Sequence, residues 1–406
     1  MTDKNYKTNR IDILFLTEFD ELSDADYEAV GYLLTDSCAK YPGFKLLSER
    51  CAELYDASIT NLSDFYEDMR GTAIRMTVID DRYALEGEEL EREACELLLE
   101  CLLHPHTENG VFDPKTVRIV SAEISDAIRA KINDKRTYAA QKGAQTAYRG
   151  EPQSRPIEGT LEQAGKITPQ SAWRVYKNML ERGRIEIIAS GCSSFEQSER
   201  VFAEAFSKLD RSNVIELRKA KPSPVKPQPE YVTEKLPMQQ AILRMYFKLP
   251  EADDRYAYSL LSLILGGMTT SRCFQNIREK QSLCYYCSTS GNRGKRALNV
   301  YAGVEPANVE KTKQAVLAEI RDICENGVTE EELKAAKLES LNSLTSLSDS
   351  PTALAVWYLR ESLSGENVSP EEYIENMQAV TAERIQRICR MMKLDTVYVL
   401  EPEEDN

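Results

Sequence analysis

Residues 161–191 read LEQAGKITPQSAWRVYKNMLERGRIEIIASG, and residues 374–402 read IENMQAVTAERIQRICRMMKLDTVYVLEP. Both stretches pass through a threonine, Thr168 or Thr381, into an amphipathic helical pattern and then a β-rich run. Each threonine fits a helix N-cap, and Pro169 stands at the first helical position of the earlier copy. The runs RIEII (184–188) and TVYVL (396–400) have the β-branched and aromatic content of strands. One pattern, met twice and far apart, predicts a duplicated chain.

Further upstream the correspondence continues. FDPKTVRIVSAEISDAI (112–128) matches VTEEELKAAKLESLNSL (328–344), with Val117 opposite Leu333. Thr329 and Glu332 have the spacing of a capping box, and Asp113-Pro114 is the equivalent start signal. The openings agree too, since IDILFLTEF (11–19) and AILRMYFKLP (241–250) are strand-like and each leads towards a helix holding Tyr27 or Tyr256. Helical faces follow at Phe44, Leu47, Cys51 and Leu54, at Leu90, Ala94, Leu97 and Cys101, and at Val309, Val316, Ile320 and Ile323. Asn326-Gly327 closes the last of these, and Ser350-Pro351 and Ser369-Pro370 open two more helices. The expected fold class is α+β: two homologous halves, each a mostly antiparallel sheet covered by helices. KAKPSPVKPQPE (219–230), with four prolines, reads as an extended connection. The expected domains are residues 1–211, a Pro-rich linker over 212–235, and residues 236–406.

Composition narrows the partners. A formal charge of −15 argues against nucleic acid, whose phosphates need a basic footprint, and against an anionic membrane surface. The polar opening MTDKNYKTNRID has no signal-peptide core, and no apolar run approaches a membrane span. Ten irregularly spaced cysteines suggest free, mostly buried thiols in a reducing cytoplasm rather than a disulfide framework. Only two histidines exist, His104 and His106 in HPHTENG, so any imidazole chemistry must use those or none.

Residues 278–291, REKQSLCYYCSTSG, hold a Cys-x-x-Cys pair. A redox dithiol favours a helix N-terminus, and a zinc site needs two more ligands nearby. The stretch alternates like a strand and continues through NRGKR into ALNVYAGV as a hairpin. On a regular strand, residues three apart face opposite sides, so Cys284 and Cys287 are expected not to meet. His104-Pro-His106 reads as the exit from a helix rather than a metal site. GGMTTSR (266–272) lacks the Gly-Lys-Ser/Thr ending of a phosphate loop and reads as one helix turning tightly into the next.

The run GGMTTSRCFQNIREKQSLCYY resembles the second-domain signature of the insulinase/pitrilysin family, the inverted-zincin peptidases. Glycines, Ser-Arg-x-Phe, Arg-Glu-Lys and Leu-x-Tyr stand in the family's order, and the likeness of two α+β halves covers nearly the whole chain. The resemblance implies that Arg278 and Tyr285 bind substrate, reaching a metal site to hold peptide carbonyls as negative charge develops. It also implies a His-x-x-Glu-His helix in the first half, which is missing. Counting back from Lys40-Tyr41-Pro42, Glu28 stands in place of the first histidine, Gly31 in place of the glutamate and Tyr32 in place of the second histidine. Glu123 matches the family's downstream glutamate ligand.

No catalytic residue and no metal ligand is therefore assigned to this chain, and no cofactor is expected in it. Zinc is expected only in a partner subunit. Paired members of the family suggest a heterodimer with a zinc-bearing insulinase-family subunit, acting on an extended peptide or unfolded segment in the cytoplasm. The bacterial group most similar in kind is associated with modification of elongation factor P. Two alternatives stand beside this: a non-enzymatic interaction scaffold, as a homodimer, and a lone zinc peptidase using His104, His106 and a carboxylate.

Overall fold

The computed structural model describes residues 6–192 and 194–403. The chain opens with β1 (Thr8–Thr17), α1 (Asp24–Asp36), α2 (Phe44–Glu53), β2 (Ser58–Tyr66), β3 (Met69–Ile79) and α3 (Leu90–Leu103). A two-residue hairpin, β4 (Thr107–Glu108) and β5 (Val111–Phe112), precedes α4 (Pro114–Ala130) and α5 (Lys135–Ala147). Then come α6 (Leu161–Ala164), α7 (Pro169–Glu181), β6 (Arg184–Ser190) and α8 (Glu196–Ser207). The later part runs β7 (Glu230–Leu236), β8 (Ala241–Lys248), α9 (Arg255–Ser262), β9 (Cys284–Asn292) and β10 (Ala297–Val304). It finishes with α10 (Val309–Asn326), α11 (Glu330–Thr345), α12 (Pro351–Ser364), α13 (Pro370–Gln378), α14 (Ala382–Arg390) and β11 (Lys393–Pro402). Between α9 and β9, Leu263–Gly267 and Cys273–Lys280 are wound as π-helix.

The anticipated start and stop signals are in place. Thr168 and Thr381 accept hydrogen bonds from the backbone N–H groups of Ser171 and Arg384, and Thr329 with Glu332 forms a reciprocal capping box. Gly327 ends α10 at φ +82°, a conformation that costs glycine little.

Two compact units result, each built on one large sheet. The first comprises Met1–Ala130, Arg155–Arg218 and Ser350–Glu366; the second comprises Lys131–Ser154, Lys219–Asp349 and Asn367–Asn406. They differ from the halves 1–211 and 236–406: α5 belongs with the later sheet, and α12 belongs with the earlier one. Strand burial explains this. In the first unit the antiparallel order is β2-β3-β1-β6, and β1 is buried on both faces. Its Ile11, Ile13 and Phe15 join a core with α1, α3 and α7, whereas Leu14 and Leu16 point the other way towards Tyr66, Met69 and Leu363 of α12. A strand apolar on both sides needs cover on both sides, at about 1.5–3 kcal/mol for each large aliphatic side chain buried.

The second unit repeats the arrangement with the order β7-β11-β8-β10-β9, antiparallel except for β7 against β11. Here α5 supplies the extra cover, with Ala139 against Ile242, Tyr398 and Leu400. Gly143 allows the close approach, because a Cβ there would lie 2.6 Å from the Tyr246 hydroxyl. β7 occupies the last residues of the stretch read as linker, and the prolines before it are held rather than loose. Ser223 and Lys248 are almost fully buried; Ser223 donates to Glu151 at 2.8 Å, and Lys248 donates to the carbonyl of Pro224 at 2.9 Å. Among the described residues no helix is long and apolar enough to cross a membrane.

Candidate functional site

In the first unit, α1 and α4 bring the place of the missing zinc motif together with Glu123. They line a cavity of about 750 Å³ with Tyr32, Asp36, Asn61, His106, Asp113 and Glu123 among its walls. Edge strand β2 forms one side through Ile59, Thr60 and Asn61. Phe44, expected on the buried face of α2, is instead 68% exposed at the rim, while Leu47, Cys51 and Leu54 are buried as expected. Burial pushes the Tyr32 phenol above its usual range, and the charges of Glu28 and Glu123 add to this. Burial and Glu123 likewise push the Asp36 carboxyl up.

This donor set does not fit zinc. A protonated phenol is a poor substitute for imidazole. Gly31 has no side chain, and a Cβ there would press on Asn61 at 3.3 Å. His104 is exposed at the C-terminal end of α3, whereas His106 faces the cavity with its Nδ1 buried and without a hydrogen-bond partner. Among the described residues no three histidine, cysteine or acidic side chains converge to hold a metal ion.

In the second unit, Arg278 and Tyr285 share a groove of about 340 Å³ with Glu279, Leu283, Cys284 and Glu305. Arg278 projects from the last turn of the π-wound stretch Cys273–Lys280, a geometry frequent at functional sites. Its guanidinium lies over the Phe274 ring, 4.5 Å from the centroid, and 3.5 Å from the Glu279 carboxylate. Tyr285 is 49% exposed and sits on β9, the edge of its sheet. Its hydroxyl donates to Glu305, whose carboxylate pushes the phenol above its ordinary range. Nothing in the sequence singled out Glu305, which lies on the turn after β10 and reaches Tyr285 only through the fold.

The two cysteines of the Cys-x-x-Cys do meet, contrary to the strand-alternation argument. Gly303 pairs with Tyr286 but Val304 pairs with Cys284, so Tyr285 is the extra residue of a β-bulge. The bulge resets the alternation and turns Cys284 and Cys287 to one face. Their thiols hydrogen bond, and Cys287 also engages Cys273. All ten cysteines are free thiols. The same bulge presents Tyr285 to solvent beside Arg278.

Arg272, in the same signature run, is structural. It is 7% exposed and donates to Glu332 at 2.7 Å, to Asp322 at 2.5 Å and to the Gly327 carbonyl at 3.2 Å, clamping the turn between α10 and α11. Burial pushes Glu332 up, but hydrogen bonds from Arg272 and the Thr329 N–H outweigh it and hold the carboxyl low. Asp322 is held low by Asn326 and by Arg272. A carboxyl depressed in the folded state gives stability that is full above its unfolded pKa and lost as pH falls through the folded value. Thermal stability should therefore fall on acidification from about pH 5 to pH 3. Arg272→Ala should make that acid limb shallower as well as lowering the melting temperature at neutral pH. An unchanged limb in the variant would remove Arg272 as its cause.

Residues 166–339 match the family model described as the Peptidase M16 inactive domain. Over that stretch the chain is similar to the M16 (insulinase) family. It is 22% identical over 356 residues to the probable inactive metalloprotease YmfF of Bacillus subtilis, covering 87% of this chain and 83% of that protein. An uncharacterized zinc protease of Streptomyces coelicolor is 24% identical over 261 residues, 61% of this chain and 56% of its own. Among solved structures, a conserved protein from Enterococcus faecalis superposes with a TM-score of 0.90 at 23% identity, covering all of this chain and 96% of that one. The peptidase M16 inactive domain from Pseudomonas fluorescens gives 0.80 at 17% identity, with the same coverage. These structures carry the fold, and the family match carries the reading of an inactive metalloprotease homologue.

Proposed function

We propose that this M16 homologue binds extended peptide segments and completes the active site of a zinc-bearing subunit, to which it supplies Arg278 and Tyr285. The convergence of these two side chains on one groove beside an open edge strand carries the reading. A guanidinium and a phenol held there can donate to peptide carbonyls, and the unpaired side of β9 can accept an extended peptide as an added strand. The cavity at the degenerate motif lies beside the other sheet's edge strand, β2, and supports the same mode of binding. Zinc then comes from the partner, because Glu28, Gly31 and Tyr32 offer no ligand set for it. Ten free thiols accord with a cytoplasmic setting.

Co-expression with an M16 relative that carries His-x-x-Glu-His tests the proposal. The pair should cleave peptides, and Arg278→Ala or Tyr285→Phe should lower turnover by about 10²–10³-fold. An active pair indifferent to both changes would leave this chain as a scaffold. Elemental analysis of the tag-free chain alone should find no stoichiometric zinc; finding it would overturn the assignment of the metal to a partner.

A further inference from the structure

Among the described residues the thiols meet in three groups, which differ in access. Cys38 hydrogen bonds Cys101, but both are fully buried. The trio Cys273, Cys284 and Cys287 lies inside the Tyr285 bulge. The third pair is placed differently: Cys324, in the last turn of α10, and Cys389, in α14, have their sulfur atoms 3.2 Å apart. Cys324 is half-buried, whereas Cys389 is fully buried. The alignment of the two helices is fixed independently of the thiols. Arg390 Nε donates to the Cys324 carbonyl at 2.8 Å, and Gln386 donates to the carbonyls of Cys324 and Glu325 at 3.2 Å each.

We propose that Cys324 and Cys389 form a reversible thiol–disulfide pair oxidised by hydroperoxides, a modification site that does not depend on the peptide-binding role. Cys324 is the thiol a small oxidant can reach. The hydrogen bond from Cys389 lowers its pKa, burial opposes this, and Arg390 adds to the lowering. The thiolate attacks one peroxide oxygen; the O–O bond breaks, an S–O bond forms, and water leaves after proton uptake. Cys389 sulfur then displaces the hydroxyl of the Cys324 sulfenic acid as a second water, giving the S–S bond. Two thiols lose two protons and two electrons, and one hydrogen peroxide takes them up to become two waters. The contact of Cys389 with Cys324 places the resolving sulfur against the attacking one before oxidation begins.

Oxidation would tie the end of α10 to α14. Arg272 already fastens that same turn through Asp322 and Gly327, at the start of the helix that carries Arg278. A cross-link closing so long a loop stabilises the folded state, chiefly by restricting the unfolded chain.

The full-length reduced protein, treated with a small excess of hydrogen peroxide and then alkylated, should yield on non-reducing digestion a peptide linking Cys324 to Cys389. Its melting temperature should rise by about 5 °C and return with dithiothreitol. Cys324→Ser should abolish both the linked peptide and the rise while melting like the reduced wild type. Cys389→Ala, in which Cys324 would stop at a sulfenic acid trapped by dimedone, gives the same decision should the serine variant fail to fold. Absence of the linked peptide, or a rise that persists in Cys324→Ser, would overturn the proposal, as would oxidation of Cys324 to sulfinic acid without cross-linking.

Discussion

Asp24→Ala is expected to destabilise the first unit by about 3–5 kcal/mol, and by more than Arg70→Ala does. Asp24 is 3% exposed at the first position of α1, where the helix N-terminus also favours a negative charge. One carboxylate oxygen accepts from Arg70, and the other accepts from Arg155 at 2.8 Å. Arg70 is fully buried on β3, over the rings of Phe19 and Tyr27, and its other donor reaches the Ile157 carbonyl at 2.5 Å. Removing Arg70 leaves Asp24 with Arg155 still in place. Removing Asp24 leaves two guanidiniums facing each other, one of them without access to water. The asymmetry is the test: denaturant unfolding of both variants should rank Asp24→Ala as the costlier. The reverse order would mean that the cation–π and carbonyl contacts, rather than the shared carboxylate, hold Arg70.

The parts of this fold that local chemistry determines could be read directly. The caps at Thr168, Thr329 and Thr381 depend on a few adjacent residues, and they form as expected. The runs IDILFL and AILRMYF read as strands, and β1 and β8 are strands that turn out to be buried on both faces. What covers their second faces was not legible. α5 buries mainly small residues, Ala139, Gly143, Thr146 and Ala147, so it shows no broad apolar stripe that would assign it to a sheet. The Cys-x-x-Cys misreading came from assuming regular alternation, because a bulge depends on the pairing partner and not on the strand's own sequence. At the degenerate motif, Tyr32 and Glu123 could be placed through resemblance alone. Their shared cavity, with His106 and Asp36 beside them, depends on how α1, α4 and β2 pack.

The reading of KAKPSPVKPQPE as an extended connection missed a buried charge cluster, and Asp395→Ala should expose its role. Asp395, fully buried at the start of β11, accepts from the Lys226 N–H at 2.9 Å and lies 3.4 Å from the Lys248 ammonium. Lys226 also reaches Thr396 at 2.7 Å and Glu230 at 2.9 Å. Lys248 and Lys295, each 2% exposed, share Glu151 at 3.8 and 3.1 Å. Without Asp395, Lys248 keeps its carbonyl acceptors at Ala147 and Pro224 but must share its one remaining carboxylate with Lys295. The expected cost is about 3–5 kcal/mol, because a buried ammonium loses its nearer carboxylate and keeps only a shared one. Burial already pulls the Lys248 pKa down against the pull of Asp395 and Glu151, so losing one carboxylate leaves the desolvation less opposed. A second readout follows from the anchoring of Lys226: residues 219–229 should be cut sooner in limited proteolysis of Asp395→Ala. Asp395→Asn separates charge from hydrogen bonding, since an amide oxygen can still accept from the Lys226 N–H while giving Lys248 no counter-charge. A variant as stable as wild type would assign the effect to the backbone hydrogen bond. A loss close to that of alanine would assign it to the ion pair that keeps Lys248 charged beneath the sheet.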